Sequence, residues 1–515
     1  MVMIPANDDF QAVIFAGGKG SRMSQLLGGR PKCLLPIANK PMIAYPLELL
    51  VRSEIKETFI IVLDNEEEAI RNAVNKLGLV GEKLTVTYVP LSHNSDCATA
   101  EALRTLGDKI EKNILILSCD TVTDLTSLAA FIRLFRLEMP TFCCILSRFP
   151  SEKENQVPAK KLHDTKEYDI IGLDAKNPHR LVFFEPDSEF GGSDSAVPLK
   201  KGSLLRQCPH FTLTTKLQDG HIYLLDRSIL KYLCARENIK SLKADLVPSI
   251  VRKQFRRQKH WPSKKTGAHP TTVNLGDGLE DSVVVEDHQA INQSPSDQGF
   301  NPAVATTTSG HVKHFAEYLE KRPMYALIDQ LDAGDLDSVE PPAQVYPNSA
   351  VKCCALTVGP EDSLESSSSS DCKASYLLRA NNWVRYCEAN RLVLARQKTQ
   401  LGQHLKPVKS DSIRSFVDAS SLVGAGATVG ERCSIKRTVV GASCRVGDRV
   451  RLTNCILQEG VTVEEGAVLQ GALLCAGASV GVNAEIRDCI VGHGQAVHGL
   501  AKHTNESLTE VMLDL

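Results

Sequence analysis

The stretch VGAGATVGERCSIKRTVVGASCRVGDRVRLTNCILQEGVTVEEGAVLQGALLCAGASVGVNAEIRDCIVGHGQAV (423–497) repeats itself every 17 residues. Val423, Val440, Leu457, Leu474 and Val491 form one apolar register. Val429, Val446, Val463, Val480 and Val497 form a second, and Ile435, Leu452, Leu469 and Ile486 a third. The registers divide each repeat into steps of six, six and five, with Gly, Ala, Ser and Asp at the corners. A hexapeptide period with one inward aliphatic per step predicts a triangular parallel β-helix, each rung adding a short strand to three faces. Ordinary alternating strands would show period two and no long-range register.

A length of 515 residues predicts two to four domains, and an apolar fraction of 43% is ample for real cores. The net charge of -2 sets up no global field toward nucleic acid or membrane. The N-terminus (MVMIPANDDFQ) lacks a basic patch followed by an apolar run, and no stretch approaches eighteen uninterrupted apolar residues. A cytosolic protein without membrane contact is expected. The 16 cysteines include no C-x-x-C, so neither a zinc site nor a disulfide framework is indicated.

Residues 10 to about 255 alternate two patterns. Apolar runs occur at AVIFA (12–16), FIIVL (59–63), TVTYV (85–89) and NILILSCD (113–120), with helical spacing at 41–55, 66–80, 98–110 and 125–139 between and after them. Further strands are predicted at 142–149, 170–174, 180–184 and 220–225. Strands buried on both faces and alternating with helices imply an α/β, doubly wound, mostly parallel sheet. Ligands in such sheets sit outside the carboxyl ends of the strands, so the loops after Ala16 and Leu117 are where chemistry belongs. The first loop carries Gly17, Gly18, Gly20, Ser21 and Arg22, followed by Pro31-Lys32-Cys33-Leu34-Leu35-Pro36. Three glycines let backbone N–H groups approach an anion, and Arg22 and Lys32 supply charge to phosphates. The string is neither a Walker loop nor G-x-G-x-x-G.

GGxGSRM, a spacer, then PKxLLP resembles the fingerprint of the sugar-phosphate nucleotidyltransferases, which join a nucleoside triphosphate to a sugar 1-phosphate. That resemblance implies a magnesium-binding role for Asp120 in Ser118-Cys119-Asp120, making it the one metal candidate. It also places Thr99, in Cys97-Ala98-Thr99-Ala100, beside the base. A nucleotidyltransferase-like domain followed by a left-handed β-helix is a common architecture of this family, so the resemblance implies the left hand. The pattern breaks elsewhere. The family's lysine-bearing E-K-P segment corresponds to Phe183-Phe184-Glu185-Pro186, and no W-x-D-[IV]-G supplies a second metal aspartate. Losing one electrostatic contact of this kind typically costs about 10²–10³ in rate. The chain therefore reads as a non-enzyme with no assigned catalytic residue, and an active enzyme of the GDP-mannose pyrophosphorylase type is the alternative.

Several strings narrow the resemblance: FQAVIFAGGKGSRM (10–23), SCDTVTD (118–124), LVPSIVRKQF (246–255), EANR (388–391), SIKRTVVGASC (434–444), VTVEEG (461–466) and IRDCIVGHGQ (486–495). They are similar to the gamma subunits of eukaryotic translation initiation factor 2B, a guanine-nucleotide exchange factor complex. What the resemblance implies is a non-catalytic subunit that pairs with the epsilon subunit and the other subunits, promoting GDP/GTP exchange on initiation factor 2. It requires no cofactor and leaves room for residual nucleotide or sugar-nucleotide binding.

The expected domains are 1–257, nucleotidyltransferase-like; 258–373, a low-complexity insertion; 374–405, a connecting segment; and 406–515, the β-helix. The insertion is polar, rich in Gly and Pro, and includes Ser366–Ser370, a composition that cannot offset its ordering entropy. A short helix is predicted at 314–332, interrupted by Pro323. The basic run 251–265 holds seven Lys or Arg (Arg252, Lys253, Arg256, Arg257, Lys259, Lys264 and Lys265), with Phe255 and Trp261 its only aromatics. It reads as a solvated domain exit rather than a nucleic-acid contact.

Overall fold

Asn113–Ser118 (NILILS) is buried at every position. A strand with no solvent-facing side must be covered on both faces, and this one lies near the middle of a seven-stranded sheet. The computed structural model describes residues 7–81, 83–92, 97–148, 169–186, 204–255, 351–359, 375–396 and 415–509. The front-domain strands used below are β1 (Phe10–Phe15), β2 (Glu57–Leu63), β3 (Thr85–Leu91), β4 (Asn113–Ser118), β5 (Thr121–Thr123) and β6 (Phe142–Arg148). They continue with β7 (Ile170–Asp174), β8 (Leu181–Glu185), β9 (Phe211–Thr214), β10 (Leu217–Leu225), β11 (Cys353–Val358) and β12 (Leu377–Arg379).

The main sheet runs β11-β6-β10-β4-β1-β2-β3. Neighbours are parallel except β10, which is antiparallel to both β4 and β6. Beside it stands an antiparallel sheet, β8-β7-β9. Helix Glu67–Lys76 shows why the intervening segments coil. Glu67 and Glu68 sit in its first turn, where they complement the helix dipole, and Ile70 and Val74 are buried four residues apart. The helix expected over 98–110 stops at Arg104, since the following residues close turns back onto Leu103 and Arg104 carbonyls.

Two boundaries differ from the sequence reading. Cys353–Val358 lies inside the predicted insertion, yet it is an edge strand paired in register with β6. Its first three residues are fully buried, and that burial outweighs the polar context of the surrounding sequence. The segment expected to connect the domains begins with β12, which pairs with β5 and so completes the front domain. The predicted helix at 314–332 and Ser366–Ser370 lie outside the described residues.

From Phe416 to Leu508 the chain forms three parallel sheets of six, six and five short strands. Partners are 17 residues apart, as in Val446↔Val463, except in the first rung, where Val417↔Ile435 spans 18. Ile435, Val440, Val446, Leu452, Leu457, Val463, Leu469, Leu474, Val480, Ile486, Val491 and Val497 are buried in one core, while Val423 and Val429 of an outer rung are half-buried. The corners follow the same period. Gly426, Ser443, Gly460, Gly477 and Gly494 all have positive φ, as do Arg437, Asn454, Gly471, Asp488 and Asn505. Each rung thus turns through the left-handed region at fixed points, which favours Gly and Asn there.

A register unnoticed in the sequence reading decides how the coil is used. Leu422, Val439, Ile456, Leu473 and Ile490 each precede an inward residue, so they point outward, yet all are buried. They pack against Met23, Leu26, Leu35 and Tyr45 of the front domain and against Tyr386, Val393 and Leu394 of helix Trp383–Arg396. Polar contacts fix the same face. Asn390 accepts the Ala38 N–H at 2.8 Å, Asn39 donates to the Val440 carbonyl at 2.8 Å, and Tyr386 donates to the Pro36 carbonyl at 2.6 Å. Burying each aliphatic contributes roughly 1.5–3 kcal/mol, so the outward stripe binds coil and sheet into one unit.

Candidate functional site

β1 and β4 run parallel with Phe15 opposite Ser118, so the glycine loop and the Ser118-Cys119-Asp120 turn leave the sheet side by side. The Cys119 N–H donates to the Phe15 carbonyl at 3.1 Å and ties the turns together. In the glycine loop, a Cβ on Gly17 would lie 3.3 Å from the Val62 backbone, and Gly20 has φ +64. Both glycines are required by the fold itself. Gly18 is different: nothing lies within 4 Å of its Cβ direction, and it is exposed together with Ser21 and Arg22. Thr99 is turned to a structural task, its hydroxyl accepting the Leu242 N–H at 2.9 Å.

Asp120 is the centre of the arrangement, with its side chain 1% exposed. Lys32 Nζ reaches its Oδ2 at 2.6 Å. Arg379 approaches from β12, with Nε 3.2 Å from Oδ1 and Nη2 3.4 Å from Oδ2. Burial alone would raise the Asp120 pKa, but the Arg379 and Lys32 charges outweigh it and hold the carboxyl well below the usual range. The Arg379 pKa is raised despite burial, by Asp120 first and Asp219 next.

Next along β10, Asp219 accepts hydrogen bonds from the Tyr223 hydroxyl and, at 3.1 Å, from the His221 N–H. Burial pushes its pKa up. Asp169 accepts the Asp219 N–H at 3.2 Å and pairs with Lys243 at 2.9 Å. His221, at φ +54 in the β10 bulge, is buried with Nδ1 unpartnered. Burial and then the Arg379 charge drive its pKa well down, so the ring is neutral.

The residues present do not fit the magnesium ion that the nucleotidyltransferase likeness implies. Both Asp120 oxygens face cations, and the described residues contain no group of three His, Cys, Asp or Glu side chains placed to hold a metal. Magnesium demands a near-octahedral shell of oxygens at about 2.1 Å. An ammonium and a guanidinium already occupy the approach to this carboxylate.

Glu185, read as lacking a lysine partner, is buried, and the Arg252 guanidinium lies 3.3 Å from its Oε2. Lys253 is also buried, donating to the Tyr232 hydroxyl at 2.6 Å. Of the first two residues of the basic run, Lys253 turns inward while Arg252 stays exposed and reaches Glu185 from the surface, because helix Val247–Lys253 packs beside β8. Residues 256–265 lie outside the described residues. Sequence reasoning missed Arg379, Asp219 and His221. Only Asp219-Gly220-His221 carried a local sign, a glycine flanked by polar residues within an apolar strand.

The described cysteines are all unpaired thiols. Among the described residues no helix is long and apolar enough to cross a membrane. A family model described as nucleotidyl transferase matches residues 11–154, and one described as the EIF2B subunit epsilon LbH domain matches residues 407–501. The eIF2B subunit gamma of Schizosaccharomyces pombe is 31% identical over 251 residues, covering 48% of this chain and 52% of that protein. The Caenorhabditis elegans eIF2B subunit gamma is 30% identical over 249 residues, 48% of this chain and 59% of that one. The Dictyostelium discoideum eIF2B subunit gamma is 24% identical over 458 residues, 84% of this chain and 87% of that one. The chain thus spans about half the length of the first two relatives and most of the third. In its α/β sheet, its left-handed β-helix and these likenesses the chain is similar to the eIF2B gamma subunits.

Proposed function

We propose that this chain is a non-catalytic subunit of the translation initiation factor 2B exchange complex. In this role it pairs with the epsilon subunit, joins the other subunits, and promotes GDP/GTP exchange on initiation factor 2. The single observation that supports it best is the Lys32–Asp120–Arg379 cluster. In-line displacement at an α-phosphate needs a metal to neutralise developing charge. Here the carboxylate is already neutralised by side chains. The glycine loop, with Gly18 and Arg22 exposed, supports at most residual phosphate holding. Function then rests on surfaces, in a large obligate interface. The chain is expected to act in the cytosol, where initiation takes place.

The test is expression of the chain alone and with epsilon. Co-purification and faster GDP release from initiation factor 2 than with epsilon alone are expected. Failure of both would overturn the proposal. Robust pyrophosphate release from a nucleoside triphosphate and a hexose 1-phosphate, abolished by Arg22→Ala, would instead establish the sugar-nucleotide enzyme.

A further inference from the structure

We infer that Arg379 is a resident cation standing in for a divalent metal at Asp120, delivered by the segment that re-enters the fold after the insertion. The two residues are 259 apart in sequence, yet the guanidinium meets both carboxylate oxygens. Its position is built, not incidental. β12 is an antiparallel partner of β5, with Arg379 opposite Thr121 beside Asp120. The Ala380 N–H donates to the Asp120 carbonyl at 2.8 Å. The Tyr376 N–H donates to Asp124 Oδ1 at 2.7 Å, and the Thr123 hydroxyl donates to the Tyr376 carbonyl at 2.6 Å. On the other side the Ser147 hydroxyl donates to the Leu377 carbonyl at 2.6 Å. Gly220 makes room for this strap, since a Cβ there would lie 2.0 Å from Leu377 Cδ2.

The charges balance without a metal. Lys32, Arg379 and Lys243 face Asp120, Asp219 and Asp169, all held at one end of the sheet. A divalent ion reaching Asp120 would have to displace a guanidinium that is only 21% exposed and an ammonium that is 13% exposed. Displacement would leave those cations buried and unpaired, which is strongly unfavourable. The pair is therefore both a metal substitute and a latch closing the front domain across the insertion.

The full chain is titrated with Mn²⁺ while free ion is followed by electron paramagnetic resonance, beside Asp120→Asn. Equal binding by the two proteins is expected; millimolar-range binding that Asp120→Asn removes would overturn the inference. In parallel, Arg379→Met is expected to lower the melting temperature by about 5 °C or more, because Asp120 is left buried beside a single cation. Adding Asp120→Asn to that variant should recover most of the loss. Additive losses in a folded double variant would show that Arg379 is not the counter-charge. If Arg379→Met fails to fold, the Mn²⁺ comparison of wild type and Asp120→Asn decides alone.

Discussion

Asp120 lies at the carboxyl end of β4 beside the glycine loop, in the loop after Leu117 where the sequence reading looked for chemistry, and the metal role came only from the family resemblance. Its chemistry was not legible, because what decides it is a guanidinium arriving from far along the chain. His221 makes the same point with a measurable consequence. Around it lie the charges of Arg379, Asp120, Lys243 and Lys32, and burial dominates, so its native pKa is well below 6.5. Below pH 6.5 the unfolded chain takes up a proton that the native ring refuses. Stability from this site is complete above that pH and falls as pH drops, by up to about 1.4 kcal/mol per pH unit. Urea unfolding midpoints at neutral and mildly acid pH should converge in His221→Asn, which tolerates the positive φ. An unchanged acid slope in that variant would count against a neutral buried ring.

Among the elements, the coil was the most legible, because an inward residue every 17 positions leaves a trace that no local context erases. Its outward stripe was equally present in the sequence, as paired aliphatics Leu422-Val423, Val439-Val440, Ile456-Leu457, Leu473-Leu474 and Ile490-Val491. Two adjacent apolar residues on a strand mean two buried faces, and that marks the side that docks. The two registers should separate on mutation. Val463→Asp places an unpaired charge inside the coil and should destabilise it by about 3–5 kcal/mol, seen as lost proteolytic resistance of the C-terminal third. Ile456→Ala should cost about 2–4 kcal/mol by opening the shared core while the rungs remain paired. Equal proteolytic protection of the coil in both variants would contradict this division. β11 was hidden for the opposite reason: six residues between polar stretches carry too little periodicity to stand out.

For the whole molecule, sheet and coil are one unit joined by an apolar stripe, and the chain beyond residue 350 supplies β11, β12 and Arg379 to that unit. Removing 266–310 should therefore leave the melting temperature nearly unchanged, since shortening a loop between fixed ends changes closure entropy by only about 0.6 kcal/mol per halving. Cutting further, through 353–379, should unfold the front domain by removing an edge strand and the Arg379 latch. Thermal melts of the two deletions distinguish these outcomes. In the proposed role the molecule acts through assembly and not through its glycine loop. The most direct test of that role is the rate of GDP release from initiation factor 2 driven by complexes containing epsilon and either wild-type chain or Arg22→Ala. Rates equal within about twofold at equal assembly are expected, as for a surface substitution far from the interaction that matters. A loss of tenfold or more with the complex intact would contradict it.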